Sequence, residues 1–296
     1  MSFLGKIRVT FEMIKFEHSV FALPFALTGA ILAIREEGFA RRDQLGGKLG
    51  WIIVAMVAAR SAAMAFNRIA DAAIDARNPR TRRRAIPAGL LSRAFTWGFV
   101  AVSSGVLVMA AARLNPLCLK LSPVALALVL LYSYTKRFTS LSHLLLGFCL
   151  GIAPAAAWIA IRGRLDPVIL LLTAAVTLWT AGFDIIYSCQ DYDFDRSERL
   201  YSIPARLGIG PALWVARLLH ALMIGLLLWL SGSLGLGPLS VAGIGVVAAL
   251  LAWEHRLVKP HDLSRVNAAF FTVNGLVSVL FFLFWTADVV YTAIPR

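Results

Sequence analysis

The chain has 296 residues, of which 59% are hydrophobic and 15% charged, with 29 Lys and Arg against 16 Asp and Glu. At a mean hydropathy of +0.76 there is too little polar surface to clothe a soluble domain of this size, so lipid must be the solvent for much of the chain. The formal charge of +13 does not indicate nucleic acid, because most basic residues sit in short links between apolar stretches, where they orient a membrane protein.

In chain order, a basic start from Met1 to Lys15 leads into an apolar stretch without a small-residue cleavage site, so no cleavable signal peptide is expected. Apolar runs of roughly 17–25 residues follow, the length a helix needs to cross the hydrocarbon core. They predict nine membrane helices at about 18–34, 49–66, 92–113, 116–134, 141–161, 167–187, 211–232, 236–253 and 268–291, one polytopic domain over 1–296. Asn115-Pro116, Arg162-Gly163-Arg164 and Lys259-Pro260 punctuate the joins. Links on the N-terminal side carry nineteen Lys and Arg and the opposite links nine. The positive-inside rule then puts the N-terminus and the links after helices 2, 4, 6 and 8 in the cytoplasm, and the C-terminus outside, in an inner membrane. Cys118, Cys149 and Cys189 are too few and scattered for a disulfide or metal framework and read as small buried hydrophobes.

The second helix ends in Asn67-Arg68-Ile69-Ala70-Asp71-Ala72-Ala73-Ile74-Asp75. Spacing of i, i+4, i+8 stacks Asn67, Asp71 and Asp75 on one helical face. Stacked oxygen donors at a membrane boundary suit a hard divalent cation, and Mg²⁺ commonly takes one or two carboxylates plus substrate phosphate oxygens. The plainer alternative is a solvated helix end, with Asp71 and Asp75 paired to Arg68 and Arg77.

The sixth helix ends in a second acidic run, from Asp184 through Tyr187 to Asp191, Tyr192, Asp193 and Asp195. Asp184, Asp191 and Asp195 fall within a narrow arc if the helix is continuous, and Asp193 points elsewhere, to solvent or a cap. Two carboxylate stacks emerging on one side are more specific than either alone. Each could hold a metal ion, with a diphosphate between them.

Basic and aromatic residues surround both motifs. Arg80, Arg82, Arg83 and Arg84 follow the first, and guanidinium forks match phosphate oxygens, although such a run also serves topology or anionic lipid. Tyr132 and Lys136, at i, i+4 on the fourth helix, share a face, which fits either a cavity lining or an interfacial anchor. These parts permit ionisation of an allylic diphosphate: cations draw charge onto the departing pyrophosphate, and aromatic faces shelter the allylic cation until an electron-rich ring attacks.

The run Asn67-Arg68-x-x-Asp71-x-x-x-Asp75-x-x-Asn78-Pro79-Arg80-Thr81, continuing to Arg84-Ala85-Ile86-Pro87-Ala88-Gly89, resembles the first signature of the UbiA superfamily of intramembrane prenyltransferases. Asp184-x-x-Tyr187-x-x-x-Asp191-x-x-x-Asp195 resembles its second; Tyr201 to Gly208 and Tyr132-x-x-x-Lys136-Arg137 resemble the segments that follow. The resemblance implies an all-α membrane bundle of nine helices around a central cavity, Mg²⁺ dependence, and transfer from a polyprenyl diphosphate to a small aromatic acceptor. It further implies that Asp71, Asp75, Asp191 and Asp195, with Asn67, hold metal and diphosphate. Arg68, Lys136, Arg137 and Arg206 would contact diphosphate, with Tyr132 near the reacting carbon and Asp184 and Tyr187 lining the substrate site.

The chain is similar to bacterial 4-hydroxybenzoate polyprenyltransferases of ubiquinone synthesis. Its Lys15-Phe16-Glu17-His18-Ser19 segment departs from that branch and resembles a subgroup of the futalosine route to menaquinone, implying a hydroxynaphthoate acceptor held by Glu17 and His18. A helix-start cap is the plainer reading of those two residues. Haem or chlorophyll precursors are other acceptors compatible with the motifs, and a cyclase or hydrolase would share the metal site without an aromatic acceptor. An ion-coupled transporter would place its acids near mid-bilayer on broken helices, whereas here they cluster with arginines at one boundary.

Overall fold

The computed structural model describes residues 3–14, 21–38 and 42–293. Helices α1 (Phe3–Ile14), α2 (Leu23–Glu36), α3 (Arg42–Ala70), α4 (Ala72–Arg77), α5 (Arg93–Leu114), α6 (Pro116–Thr135) and α7 (Ser142–Arg162) come first. They are followed by α8 (Ile169–Ser188), α9 (Tyr192–Ser197), α10 (Ile203–Leu207), α11 (Ile209–Ser233), α12 (Pro238–Leu257), α13 (Val266–Ala268) and α14 (Asn274–Ala293). The only extended pairing among the described residues is an isolated bridge between Lys259 and Asp262, so the fold is all-helical.

Eight helices among the described residues are long and apolar enough to cross a membrane. They match the second to ninth expected spans. The first expected span corresponds to α2, whose fourteen residues reach about 21 Å, short of a hydrocarbon core of about 30 Å. The chain is a multi-pass membrane protein, and its lipid-facing surface carries the large apolar side chains a soluble surface lacks. Trp214 and Trp229, 68% and 65% exposed, lie near opposite ends of α11, about 22 Å apart along its axis, as interfacial aromatic anchors do.

The chain divides into two compact units, Met1–Ser19 with Gly50–Tyr134, and Val20–Leu49 with Thr135–Arg296. In the first, Met13 and Ile14 of α1 pack with Ala65 and Phe66 of α3, Ala85, Leu91 and Val100. The basic N-terminal segment thus forms a helix that the apolar-run criterion passed over. In the second, α7 lies close against α8. A Cβ at Gly147 or Gly151 would collide with the backbone of Thr177 or Thr173, so this Gly-x-x-x-Gly pair is what lets the two backbones approach. In a bilayer such small-residue seams drive association, since lipid tails are as apolar as leucine. Trp179, Ile185 and Ile186 of α8 are completely buried, which fixes the helix that leads into the second acidic run.

α12 starts under a tertiary cap. Asp288 of α14 is fully buried and accepts from the backbone N–H groups of Gly237, Leu239 and Ser240 at 2.6, 3.1 and 3.3 Å. A carboxylate there satisfies orphan donors at a helix N-terminus and meets the positive end of its dipole.

Candidate active site

The first motif keeps its stack across a break. α3 stops at Ala70 and α4 restarts at Ala72, yet Asp71 and Asp75 donate their amides to the carbonyls of Asn67 and Asp71 at 2.9 and 2.7 Å. The helical register therefore survives, and Asn67 Nδ2 donates to Asp71 Oδ2 at 3.0 Å, as one shared face requires. Arg68 is buried within electrostatic reach of Asp71, Asp75, Arg84 and Tyr132.

Asp75 is claimed by a residue the spacing did not single out. Arg84 Nη1 donates to both of its carboxylate oxygens, at 2.7 and 2.9 Å. The intervening turn explains the reach. Asn78 Oδ1 accepts from the Arg80 amide at 2.9 Å, and Thr81 Oγ1 donates to the Asp75 carbonyl at 3.2 Å. This Asx-type turn folds the basic link back on the helix end. Arg80, Arg82 and Arg83 remain exposed.

The second motif is not one helix. A 3₁₀ turn, Cys189–Asp191, separates α8 from α9. Three residues at about 120° each instead of 100° turn Asp191 and Asp195 by about 60° relative to Asp184. Asp184 accordingly faces a different partner: its Oδ2 lies 2.7 Å from His143 Nδ1 on α7. Asp193 is exposed, as expected, while Asp191 is buried.

Asp195 is completely buried. Lys136 Nζ stands 2.7 Å from its Oδ1 and the Ser202 hydroxyl lies close by, but neither oxygen meets a donor in good hydrogen-bonding geometry. A buried carboxylate so sparsely served has lone pairs to offer a cation. α6 ends at Thr135, and Lys136, the next residue, is held by Asp195.

Two links of the second unit are stitched together around this pair. Tyr201 donates its amide to the Lys136 carbonyl at 2.8 Å, Ile203 donates to His143 Nε2 at 3.2 Å, and Arg206 Nη1 reaches Ser140 Oγ at 3.5 Å. Lys136, Asp184, Asp195 and Arg206 are thereby brought to one neighbourhood, and Arg137 is exposed beside it. Tyr187 sits against Phe270, with ring centroids 4.2 Å apart, and near Phe271 at 6.2 Å. Glu17 and His18 lie outside the described residues.

The donor set of the two motifs is oxygen only, which is what a hard divalent cation takes. Among the described residues no three His, Cys, Asp or Glu side chains gather into a ready metal centre. Mg²⁺ does not need one, since it usually binds through one or two carboxylates, waters and substrate phosphates. The residues present fit it.

Residues 22–292 match the UbiA prenyltransferase family. The chain belongs to that family. This UbiA prenyltransferase is 31% identical over 221 residues to a 4-hydroxybenzoate octaprenyltransferase of Vibrio cholerae, covering 73% of this chain and 75% of the relative. It is 29% identical to the enzyme of the same name from Cupriavidus metallidurans, covering 86% and 87%. Among solved structures, a UbiA homologue from Aeropyrum pernix is similar at 34% identity and a TM-score of 0.80, covering 94% of this chain and 99% of that one. A homologue from Archaeoglobus fulgidus, solved with DMAPP and Mg²⁺, shares the fold at 16% identity and a TM-score of 0.66, covering 95% and 99%.

Sequence reasoning passed over several polar residues of this UbiA protein. His143 is one. Others form a network inside the spans of the second unit. Asn274 donates to Glu254 Oε1 at 2.7 Å and to the Ala269 carbonyl at 3.2 Å, and accepts from Trp179 Nε1 at 2.8 Å. The side-chain bond to Ala269 spans the π-helical turn Ala269–Val273, which carries the Phe270 and Phe271 rings that meet Tyr187. An ionisable side chain inside an apolar run was the available signal, at His143, His220, Glu254 and Asp288 alike.

Proposed function

We propose that this UbiA prenyltransferase moves a polyprenyl group from polyprenyl diphosphate to the ring of 4-hydroxybenzoate or a related hydroxynaphthoate, in the synthesis of ubiquinone or menaquinone. The observation that carries the reading is Asp195, a fully buried carboxylate of the second motif set against Lys136 at 2.7 Å among residues that fit diphosphate. The names of the curated relatives support a 4-hydroxybenzoate acceptor. The Archaeoglobus homologue, with its allylic diphosphate and Mg²⁺, supports the donor and the metal.

In this reading Asn67, Asp71, Asp75, Asp191 and Asp195 hold Mg²⁺ and diphosphate. That both motifs serve one diphosphate is part of the proposal, and their order and spacing in the chain support it. Mg²⁺, when bound, supplies charge neutralisation of the departing pyrophosphate. Lys136, Arg68, Arg137 and Arg206 bind phosphate oxygens; Arg84 balances the charge of Asp75 in a buried setting. Tyr132 and Tyr187 offer aromatic faces to the allylic group as its bond to oxygen weakens. The proton released when the acceptor ring is alkylated leaves through water at the polar link. The N-terminus and the catalytic links face the cytoplasm of an inner membrane, by the distribution of basic residues.

The test is an assay of membranes containing the protein, with Mg²⁺ and a long polyprenyl diphosphate, offering 4-hydroxybenzoate and 1,4-dihydroxy-6-naphthoate in parallel. A prenylated product from either supports the reading and names the acceptor. Product from neither, in membranes that contain folded protein, overturns it.

A further inference from the structure

Within the proposed diphosphate-binding region, we infer that His143 is a positioning residue: it clamps α10, and with it Arg206, in the place from which Arg206 binds the diphosphate. The inference rests on the prenyl-diphosphate reading above and assigns a role to a residue that neither acidic motif contains.

The physical case begins with α10. It has five residues, too few to hold themselves as a helix, because nucleation is unfavourable and isolated helices of fewer than about 12–15 residues are marginal in water. Its place must come from tethers. Ser202 caps it, accepting from the Ala205 amide at 3.2 Å. The amide of Ile203, the first helical residue, has no intrahelical acceptor, and His143 Nε2 supplies one at 3.2 Å.

That bond fixes the imidazole. A backbone amide only donates, so Nε2 must carry a lone pair and the ring proton sits on Nδ1. There it is directed at Asp184 Oδ2, 2.7 Å away. A carboxylate behind an imidazole sets tautomer and orientation, as partners of working histidines do. The ring is 3% exposed, so water does not compete for either bond. Asp184 thus acts through His143 rather than on substrate. Three residues beyond Ile203, Arg206 is exposed, and the other contacts of this link, Tyr201 to Lys136 and Arg206 to Ser140, bind it to the segment carrying Lys136. Phosphate-binding guanidiniums gain from being held in place, because the ordering cost is then met before substrate arrives.

The test is a double-mutant cycle on purified protein, scored per folded molecule. Its readouts are KM for polyprenyl diphosphate, kcat, and inhibition by inorganic pyrophosphate. His143→Phe and Arg206→Gln are each expected to raise KM and weaken pyrophosphate inhibition by about tenfold or more, the worth of one hydrogen bond to a charged group. The double variant is expected to be no worse than the poorer single. His143→Gln keeps an acceptor and a donor on one side chain and should stay within about threefold of the parent. If His143→Phe fails to fold, the comparison of His143→Gln with His143→Leu decides by the same KM and inhibition readouts.

Multiplying effects in the double variant, or His143→Gln as impaired in KM as His143→Phe, would overturn the clamp and leave His143 a packing residue. Failure of the underlying reading looks different. The unsubstituted protein would then form no prenylated product and bind no pyrophosphate, and both proposals would fall.

Discussion

Replacing Lys136 by methionine should damage the fold as well as the chemistry, and the structure gives the size of the effect. Asp195 is completely buried and its Oδ1 is 2.7 Å from Lys136 Nζ, on a lysine side chain 38% exposed. At an effective dielectric constant of about 20, charges at that distance attract by about 6 kcal/mol before desolvation. Removing one partner of a buried pair typically costs about 3–5 kcal/mol, and the exposure of Lys136 places this pair near about 3. Against a total stability of about 5–15 kcal/mol, that is a visible loss of folded protein. Lys136→Met should therefore give a lower folded yield and a lower unfolding temperature in detergent, with turnover per folded molecule reduced about 100–1000-fold, as for loss of one well-placed donor to a developing anion. The double variant Lys136→Met, Asp195→Asn removes the stranded charge, so stability should recover to within about 1 kcal/mol of the parent. Turnover should not recover. Lys136→Met with parental stability would refute the electrostatic reasoning, and parental kcat would remove Lys136 from the chemistry.

Asp71→Ala and Asp191→Ala should each abolish turnover in protein that still migrates as a folded species, and near-normal rates at ordinary Mg²⁺ would sink the two-motif account. Arg84→Met strands the buried Asp75 and should cost about 3 kcal/mol in thermal unfolding, recovered in part by Asp75→Asn. Gly147→Leu should disrupt the α7–α8 seam and reduce folded yield, while Gly225→Leu, where an added Cβ meets nothing within 4 Å, should not. Single cysteines at positions 2 and 295 should be labelled from opposite sides of the membrane if α2 crosses in addition to the eight longer spans; labelling from the same side would show that α2 does not cross.

What was legible in the sequence was local. Asn67, Asp71 and Asp75 could be placed on one face because i, i+4 geometry is set by the helix itself, and the Asn67–Asp71 hydrogen bond shows the face preserved across the break at Asp71. The same arithmetic misplaced Asp184 relative to Asp191 and Asp195, since nothing in the run from Tyr187 to Asp191 announces a 3₁₀ turn. Partners were illegible for a different reason. His143 meets a carboxylate 41 residues away, and Lys136 meets Asp195, choices made by tertiary packing. Hydropathy found the spans of α3, α5, α6, α7, α8, α11, α12 and α14 because lipid imposes length and composition on each one separately. It could not find α1, which is held by contacts to Ala65, Phe66 and Leu91 and not by lipid.

The most direct test of the account is pyrophosphate release by purified protein given a polyprenyl diphosphate, an aromatic acceptor and Mg²⁺, followed together with prenylated product. The account predicts release equal to product, lost on chelation of the metal and lost in Asp191→Ala. Product formation that persists without divalent metal, or that is unchanged in Asp191→Ala, would contradict it.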